Sequence, residues 1–160
     1  MTILVALDGS REAENALPKA VALVKQNDGA KVVLVRAIDP MTLGGGGAKK
    51  TRLAAINEAA EYLGDVAARL REEGVRPVVR SVWYAAAPVA IAGIARDVKA
   101  DVIVMAAYGR DGDDRLAPGA IAEPVMKRTR IPIVLVPAGG TPAAIPARVT
   151  MARETEMVRA

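Results

Sequence analysis

A chain of 160 residues, of which 52% are hydrophobic, is long enough to form one domain with a substantial core. Aromatic residues make up only 2% and phenylalanine is absent, so the core must be built from Ala, Val, Leu, Ile and Met. The absence of Cys and His excludes disulfides, thiolate nucleophiles, imidazole bases and the usual zinc sites. The net charge of +4 is spread along the chain, which argues against a nucleic-acid partner.

The sequence contains no predicted membrane segment. Its first ten residues, MTILVALDGS, lack the basic region and the long apolar run of a signal peptide. No apolar run reaches the length that spans a bilayer. We therefore expect a cytoplasmic protein with no membrane partner.

The first predicted elements alternate between strand and helix. Residues 2–7, TILVAL, are typical of a strand buried on both faces. Ser10 can cap the helix that follows, whose apolar stripe covers residues 13–24. Pro18 lies inside that stripe and is expected to kink the helix or to loosen one turn. A second strand is predicted at 31–38.

A glycine-rich connector, residues 44–47, precedes a longer helix. Its predicted core stripe repeats at spacings of three and four: Leu53, Ile56, Ala60, Leu63, Ala67 and Leu70. The next strand is predicted at 75–84, with Arg76, Arg80 and Trp83 facing outward. Pro77 within it favours an edge strand.

The last predicted elements are a helix at about 88–98, a strand at 101–107, a helix near 120–129 and a strand at 131–137. Residues 138–160 form a tail that could pack on the domain or on a partner subunit. The alternation predicts an α/β fold: an open, five-stranded, mainly parallel sheet with helices on both faces.

Ligands of such sheets bind outside the carboxyl ends of the strands, where the strand order reverses. If the first and fourth strands are neighbours, three segments converge at this place. They are Asp8-Gly9, residues 37–39 and the loop 106–120. The predicted ligand site therefore lies at the carboxyl ends of the first, second and fourth strands.

Several stretches resemble the universal stress protein family: VALDGS at 5–10, VRAIDP at 35–40, and the segment from Ala100 to Pro137. The resemblance covers residues 1–137, which we treat as one universal stress protein domain. It implies a Rossmann-like sheet with strand order 3-2-1-4-5 and a regulatory role in the stress response. It also implies a homodimer in which the fifth strands pair antiparallel across a two-fold axis.

A subset of that family binds ATP through Gly-x-x-Gly, nine residues, then Gly followed by Ser or Thr. Here the second glycine is Gly109, and nine residues separate it from Gly119. Ala106 replaces the first glycine and Ala120 replaces the hydroxyl residue. The spacing of the motif is thus intact, whereas two of its residues differ.

The resemblance implies that Asp8 holds ribose and that the backbone of Ala37 meets adenine. The backbone N–H groups at residues 119–121 open a helix and would meet phosphate. The predicted nucleotide-binding residues are Asp8, Ala37, Met105, Gly109, Gly119, Ala120 and Ile121, with no catalytic residue and no protein-bound metal. The cofactor would be ATP or AMP, with or without Mg²⁺.

The two replacements have different physical consequences. The methyl group of Ala106 is a small obstacle if φ is negative and a serious one if φ is positive. Ala120 lacks a hydroxyl whose hydrogen bond would contribute about 0.5–1.5 kcal/mol, or up to ~3 kcal/mol with a charged partner such as phosphate. Asp111, Asp113 and Asp114 lie between the two glycines and would repel phosphate unless they face solvent or bind Mg²⁺.

Two hypotheses therefore remain open. The protein binds an adenine nucleotide, or it is a universal stress protein without nucleotide that acts as a dimeric interaction module. An enzyme is not expected, because no nucleophile–base pair is available, although slow ATP hydrolysis stays open. A response-regulator receiver would need an acceptor Asp after the third strand and a Lys after the fifth, and WYAA and VPAGG follow there instead.

Overall fold

The computed structural model describes residues 1–44, 51–107 and 121–137. Within them, the strands are β1 (Thr2–Leu7), β2 (Lys31–Ala37), β3 (Val78–Trp83), β4 (Val102–Ala107) and β5 (Ile133–Pro137). The helices are α1 (Ala16–Gln26), α2 (Arg52–Glu72), α3 (Ala87–Asp97) and α4 (Ala122–Arg128), with short 3₁₀ helices at Ala13–Asn15 and Thr42–Gly44. Three segments lie outside the described residues. They are residues 45–50, which include most of the predicted glycine-rich connector, most of the predicted loop (108–120), and the tail 138–160.

The five strands form one sheet in the order β3-β2-β1-β4-β5, and every neighbouring pair is parallel. In the central register, Val5 of β1 lies opposite Leu34 of β2 and Val104 of β4. The predicted α/β class, strand order and alternation of elements are therefore confirmed.

Side chains alternate between the two faces of the sheet, and each face has its own core. Alternate strand residues such as Val5 and Leu34 pack against α1 and α2. Their neighbours, such as Leu4 and Val35, pack against α3 and α4. Because both faces are covered, the middle residues of the central strands are apolar and buried, as the run TILVAL predicts.

The chain enters α1 through a capped 3₁₀ turn. The backbone N–H of Ala13 donates to Ser10 Oγ at 3.1 Å, which confirms the predicted cap. The α-helical geometry begins only at Ala16, so Pro18 lies in the first turn of α1. At that position its missing N–H costs no helical hydrogen bond, so the proline does not interrupt the hydrogen bonding of α1.

The core stripe of α2 differs from the predicted one in its first turns, whereas Leu63, Ala67 and Leu70 are buried as predicted. Leu53 is 67% exposed, and Ala60 is also exposed. The buried positions are Ala55, Ala59, Leu63, Val66, Ala67 and Leu70. The early turns of α2 place alanines against Ile38, since small side chains let the helix lie close to the end of β2.

The edge strand β3 confirms one prediction and corrects another. Arg76 and Arg80 are exposed, and Pro77 lies just before an edge strand, as predicted. Trp83, predicted to face outward, is half-buried and packs against the core of the α3 face. Its indole lies on the helix at Gly93, where a methyl group would approach Trp83 Cζ3 to 2.9 Å.

Candidate functional site

A cavity of about 170 Å³ lies at the carboxyl ends of β1, β2 and β4. Its walls are strand ends, the turn after β1 and the first residues of α3 and α4. Of its twelve lining residues, six are alanines, and these small side chains leave the space open. The lining residues are Ala6, Leu7, Asp8, Ala13, Val35, Ala37, Ala87, Ile91, Met105, Ala106, Ile121 and Ala122.

The topology explains why the cavity forms here. The chain leaves β1 towards α1 on one face of the sheet, whereas it leaves β4 towards α4 on the opposite face. The two connections diverge, so a crevice opens between neighbouring strand ends. The predicted convergence of Asp8, Ala37 and the start of the 106–120 loop at this edge is present in the structure.

Asp8 lies at the mouth of the cavity in a turn built by local hydrogen bonds. Its Oδ1 accepts from the backbone N–H of Ser10 at 2.8 Å. Gly9 between them has φ +91°, a conformation that favours glycine. The Asp-Gly-Ser sequence thus places an exposed carboxylate at the carboxyl end of a buried strand.

Ala37 presents backbone atoms to the same place. The N–H of the next residue, Ile38, donates to the Trp83 carbonyl of β3 at 2.7 Å. Because peptide groups alternate sides along a strand, the N–H and C=O of Ala37 face β1, where the register places the N–H beside the Leu7 carbonyl, and Ala37 lines the cavity. A polar backbone group therefore borders an otherwise apolar space.

Ala106 and Met105 form the β4 wall of the cavity, and both are buried. Among the described residues other than glycine, only Lys99 has a positive φ. Ala106 is therefore in ordinary strand geometry, and its methyl group causes no backbone strain. With a negative φ at Ala106, the methyl group that replaces the glycine hydrogen is only a small obstacle to a ligand.

The remaining predicted residues divide into two groups. Ile121 precedes α4 and lines the cavity with 36% of its surface exposed. Gly109, Gly119 and Ala120 lie outside the described residues, as do the three aspartates between the glycines. The predicted phosphate contacts therefore stay predictions.

Arg36 is a polar residue of this region that the sequence analysis did not single out. It is the penultimate residue of β2, and its guanidinium lies about 3.1 Å from the position that a Cβ on Gly9 would take. The side chain is only 19% exposed. Its one sequence signal is a charge within an otherwise apolar strand core, directly before Ala37.

Two further findings concern the described residues alone. In residues 1–44, 51–107 and 121–137, no group of three or more His, Cys, Asp or Glu side chains could hold a metal ion. In the same ranges, no helix combines the length and the apolar character that crossing a membrane requires.

Sequence comparison identifies relatives over most of the chain. The model of the universal stress protein family matches residues 1–137. A universal stress protein of Staphylococcus epidermidis is 29% identical over 140 residues, covering 84% of this chain and 82% of its own.

Solved structures share the fold. A universal stress protein from Archaeoglobus fulgidus superimposes with a TM-score of 0.66 and 25% identity, covering 84% of this chain and 97% of its own. One from Archaeoglobus fulgidus in complex with dAMP gives 0.62 and 24% identity, with 84% and 96% covered. A further universal stress protein structure, in complex with cAMP, gives a TM-score of 0.64 and 19% identity, covering 87% of this chain and 98% of its own.

Proposed function

The chain belongs to the universal stress protein family, and from this premise we propose that it binds an adenine nucleotide, AMP or ATP, and acts in regulation of the stress response. The observation that carries the proposal is the alanine-lined cavity with the Asp8 carboxylate at its mouth. In two proteins of similar fold the ligand is dAMP or cAMP. The activity we propose is binding rather than catalysis.

The cavity suits a nucleobase. At about 170 Å³ it is smaller than the roughly 300–1,000 Å³ of whole-ligand pockets. Its walls are mostly aliphatic, and Ala37 adds a backbone carbonyl that could accept a hydrogen bond from the amino group of adenine. We propose that adenine enters the cavity while the ribose and the phosphates stay outside it.

The ribose would lie at Asp8. A carboxylate accepts hydrogen bonds from two neighbouring hydroxyl groups, and the Ser10 bond holds this one at the cavity mouth. The phosphates would then extend towards the loop that contains Gly109, Gly119 and Ala120. Mg²⁺, where present, would be brought by the phosphates of ATP.

Calorimetry with AMP and ATP tests this proposal. Asp8→Asn keeps an oxygen for the Ser10 N–H but loses the charge, so affinity should fall by about 10-fold, or ~1.4 kcal/mol, the scale of a charged hydrogen bond. Asp28→Asn is the matched control, because Asp28 is an exposed turn residue before β2, at the amino ends of the strands and away from the cavity. Nucleotide released from freshly purified, denatured protein, identified by chromatography, is the independent check.

If neither AMP nor ATP binds at millimolar concentration, or if Asp8→Asn binds as tightly as the wild type, the nucleotide proposal fails. The alternative function, an interaction module that works without nucleotide, would then be preferred. Its supporting observation is the unusual edge of the sheet at β5.

We propose a homodimer joined through β5. The other edge strand, β3, carries the exposed Arg80 and follows Arg76-Pro77, features that discourage pairing. By contrast, β5 has no charged residue, and Ile133 to Val136 are buried. A long apolar edge of this kind invites a partner strand, and a second copy of the same strand satisfies a two-fold axis.

Among the described residues, β5 is the last strand of the sheet, and the backbone donors on its outer side could pair with such a partner. Ile103 of β4 donates to the Pro132 carbonyl at 2.9 Å, so the peptide groups of residues 132, 134 and 136 face β4. Those of Ile133 and Leu135 face the open edge, because the direction alternates along a strand. Leu135 is therefore the position at which to test the interface.

A further inference from the structure

We propose that Arg36 is a positioning residue of the nucleotide site: its guanidinium holds the Asp8–Gly9 turn in the conformation that binds ribose. The inference rests on the proposed nucleotide function and adds a residue that does not line the cavity. Arg36 would thus act on the ligand through Asp8.

The guanidinium of Arg36 lies close to the turn, with the face of its plane towards Gly9. A methyl group on Gly9 would lie 3.1 Å from Arg36 Cζ, 3.1 Å from Nη2 and 3.3 Å from Nη1. Three similar distances mean that the face of the guanidinium plane, rather than one N–H, covers Gly9. The left-handed φ of +91° and this cover together restrict residue 9 to glycine and limit the movement of the turn.

The guanidinium is itself held from the side of α2. Its Cζ lies 5.2 Å from the centre of the Tyr62 ring, a cation–π distance. Its Nη2 lies 3.9 Å from Glu58 Oε1. A planar, delocalised cation suits these neighbours, since it can stack on a ring and on a peptide at the same time.

The Tyr62 side chain is itself held in place by the ion pair between Glu14 and Arg69. Its hydroxyl donates to Glu14 Oε1 at 3.1 Å, and Arg69 Nη2 donates to Glu14 Oε2 at 2.8 Å. Burial of Tyr62 and the adjacent Glu14 raise the pKa of its hydroxyl, so Tyr62 remains a neutral donor. A continuous set of contacts therefore leads from α2 and the 3₁₀ helix before α1 to the turn that carries Asp8.

The position of Arg36 in β2 explains why the arginine reaches the turn. Leu7 at the end of β1 pairs with Arg36 in the sheet register. Residue 36 follows Val32 and Leu34 on the face that packs against α1 and α2. Its side chain is thus beside the chain as it leaves β1, on the opposite face from most of the cavity.

Binding of AMP and of adenine to Arg36→Gln tests the inference. Loss of the guanidinium should weaken AMP about 10-fold, as expected for a misplaced charged hydrogen bond, and should leave adenine within about twofold. Arg80→Gln is the matched control, since Arg80 is an exposed arginine on the neighbouring strand. In an Asp8→Asn background, Arg36→Gln should add less than about twofold, because both changes act on the same contact.

A second measurement does not depend on the ligand. The Ser10 amide, which donates to Asp8, should exchange its hydrogen about 10-fold faster in Arg36→Gln than in wild type. Arg36→Lys, a milder change, should accelerate exchange less and provides the test if the glutamine variant does not fold.

The outcomes are distinguishable. If wild type binds AMP and Arg36→Gln binds it equally well, or loses AMP and adenine alike, the positioning role is wrong although the nucleotide proposal stands. Unchanged Ser10 exchange in a folded variant also overturns it. If wild type binds no nucleotide, the proposed function fails, and the positioning role fails with it.

Discussion

Replacing Ala6 by valine should stabilise the protein and abolish nucleotide binding at the same time. Ala6 lies in the central strand β1, opposite Val35, and its side chain lines the cavity. A buried methyl group contributes about 0.8 kcal/mol, so two of them contribute up to ~1.6 kcal/mol when they fill empty space. For a chain of 160 residues this corresponds to a rise in melting temperature of roughly 3–6 °C.

The same substitution removes the space that the base would occupy, so calorimetry with AMP should show no binding. Ala20→Val is the control, because Ala20 of α1 is 0% exposed and packs in the core between α1 and the sheet. There the added methyl groups have no cavity to fill, and overpacking should lower stability by about 1–3 kcal/mol. Thermal unfolding of the two variants should therefore shift in opposite directions.

Two results would refute this reasoning. A variant Ala6→Val that binds AMP with wild-type affinity would mean that the base does not enter this cavity. A variant that is destabilised as strongly as Ala20→Val would mean that the space beside Ala6 is already filled.

Two further predictions concern the phosphate region and the subunit interface. Ala120→Ser should tighten ATP by up to about 10-fold in calorimetry and leave adenosine unchanged, since the added hydroxyl can reach only a phosphate; equal effects on both ligands would contradict this placement. Wild type should scatter light as a particle of about twice the 16.7 kDa chain mass, and Leu135→Pro should shift the equilibrium towards monomer because it removes a donor from the open edge of β5. A wild-type monomer at micromolar concentration would rule out this dimer.

Much of the fold could be predicted because its signals are local. Short apolar runs rich in branched residues, such as residues 2–7 and 102–107, are typical of buried strands, and the helical periods between them favour an α/β class. The Asp8 turn is also local, since Asp8 and Ser10 accept hydrogen bonds from backbone groups two and three positions ahead.

Where the prediction failed, several apolar residues competed for one surface. In α2, two overlapping sets repeat at spacings of three and four, and hydrophobicity alone favours the set that begins at Leu53. The sheet selects the set that includes Ala55 and Ala59, since the helix lies close to Ile38. Trp83 is similar: strand alternation does not reveal that Gly93 of α3 leaves room for its indole.

The sequence by itself determined the order of elements, the parallel sheet and the turn that places a carboxylate after β1, because each of these depends on neighbours within a few residues. Only the tertiary structure decided that six alanines from distant segments enclose one cavity, and that Arg36 covers Gly9. These features depend on the distances between strands and helices that are far apart in the chain. Such distances are set by the packing of the whole domain, to which no short stretch of sequence is a guide.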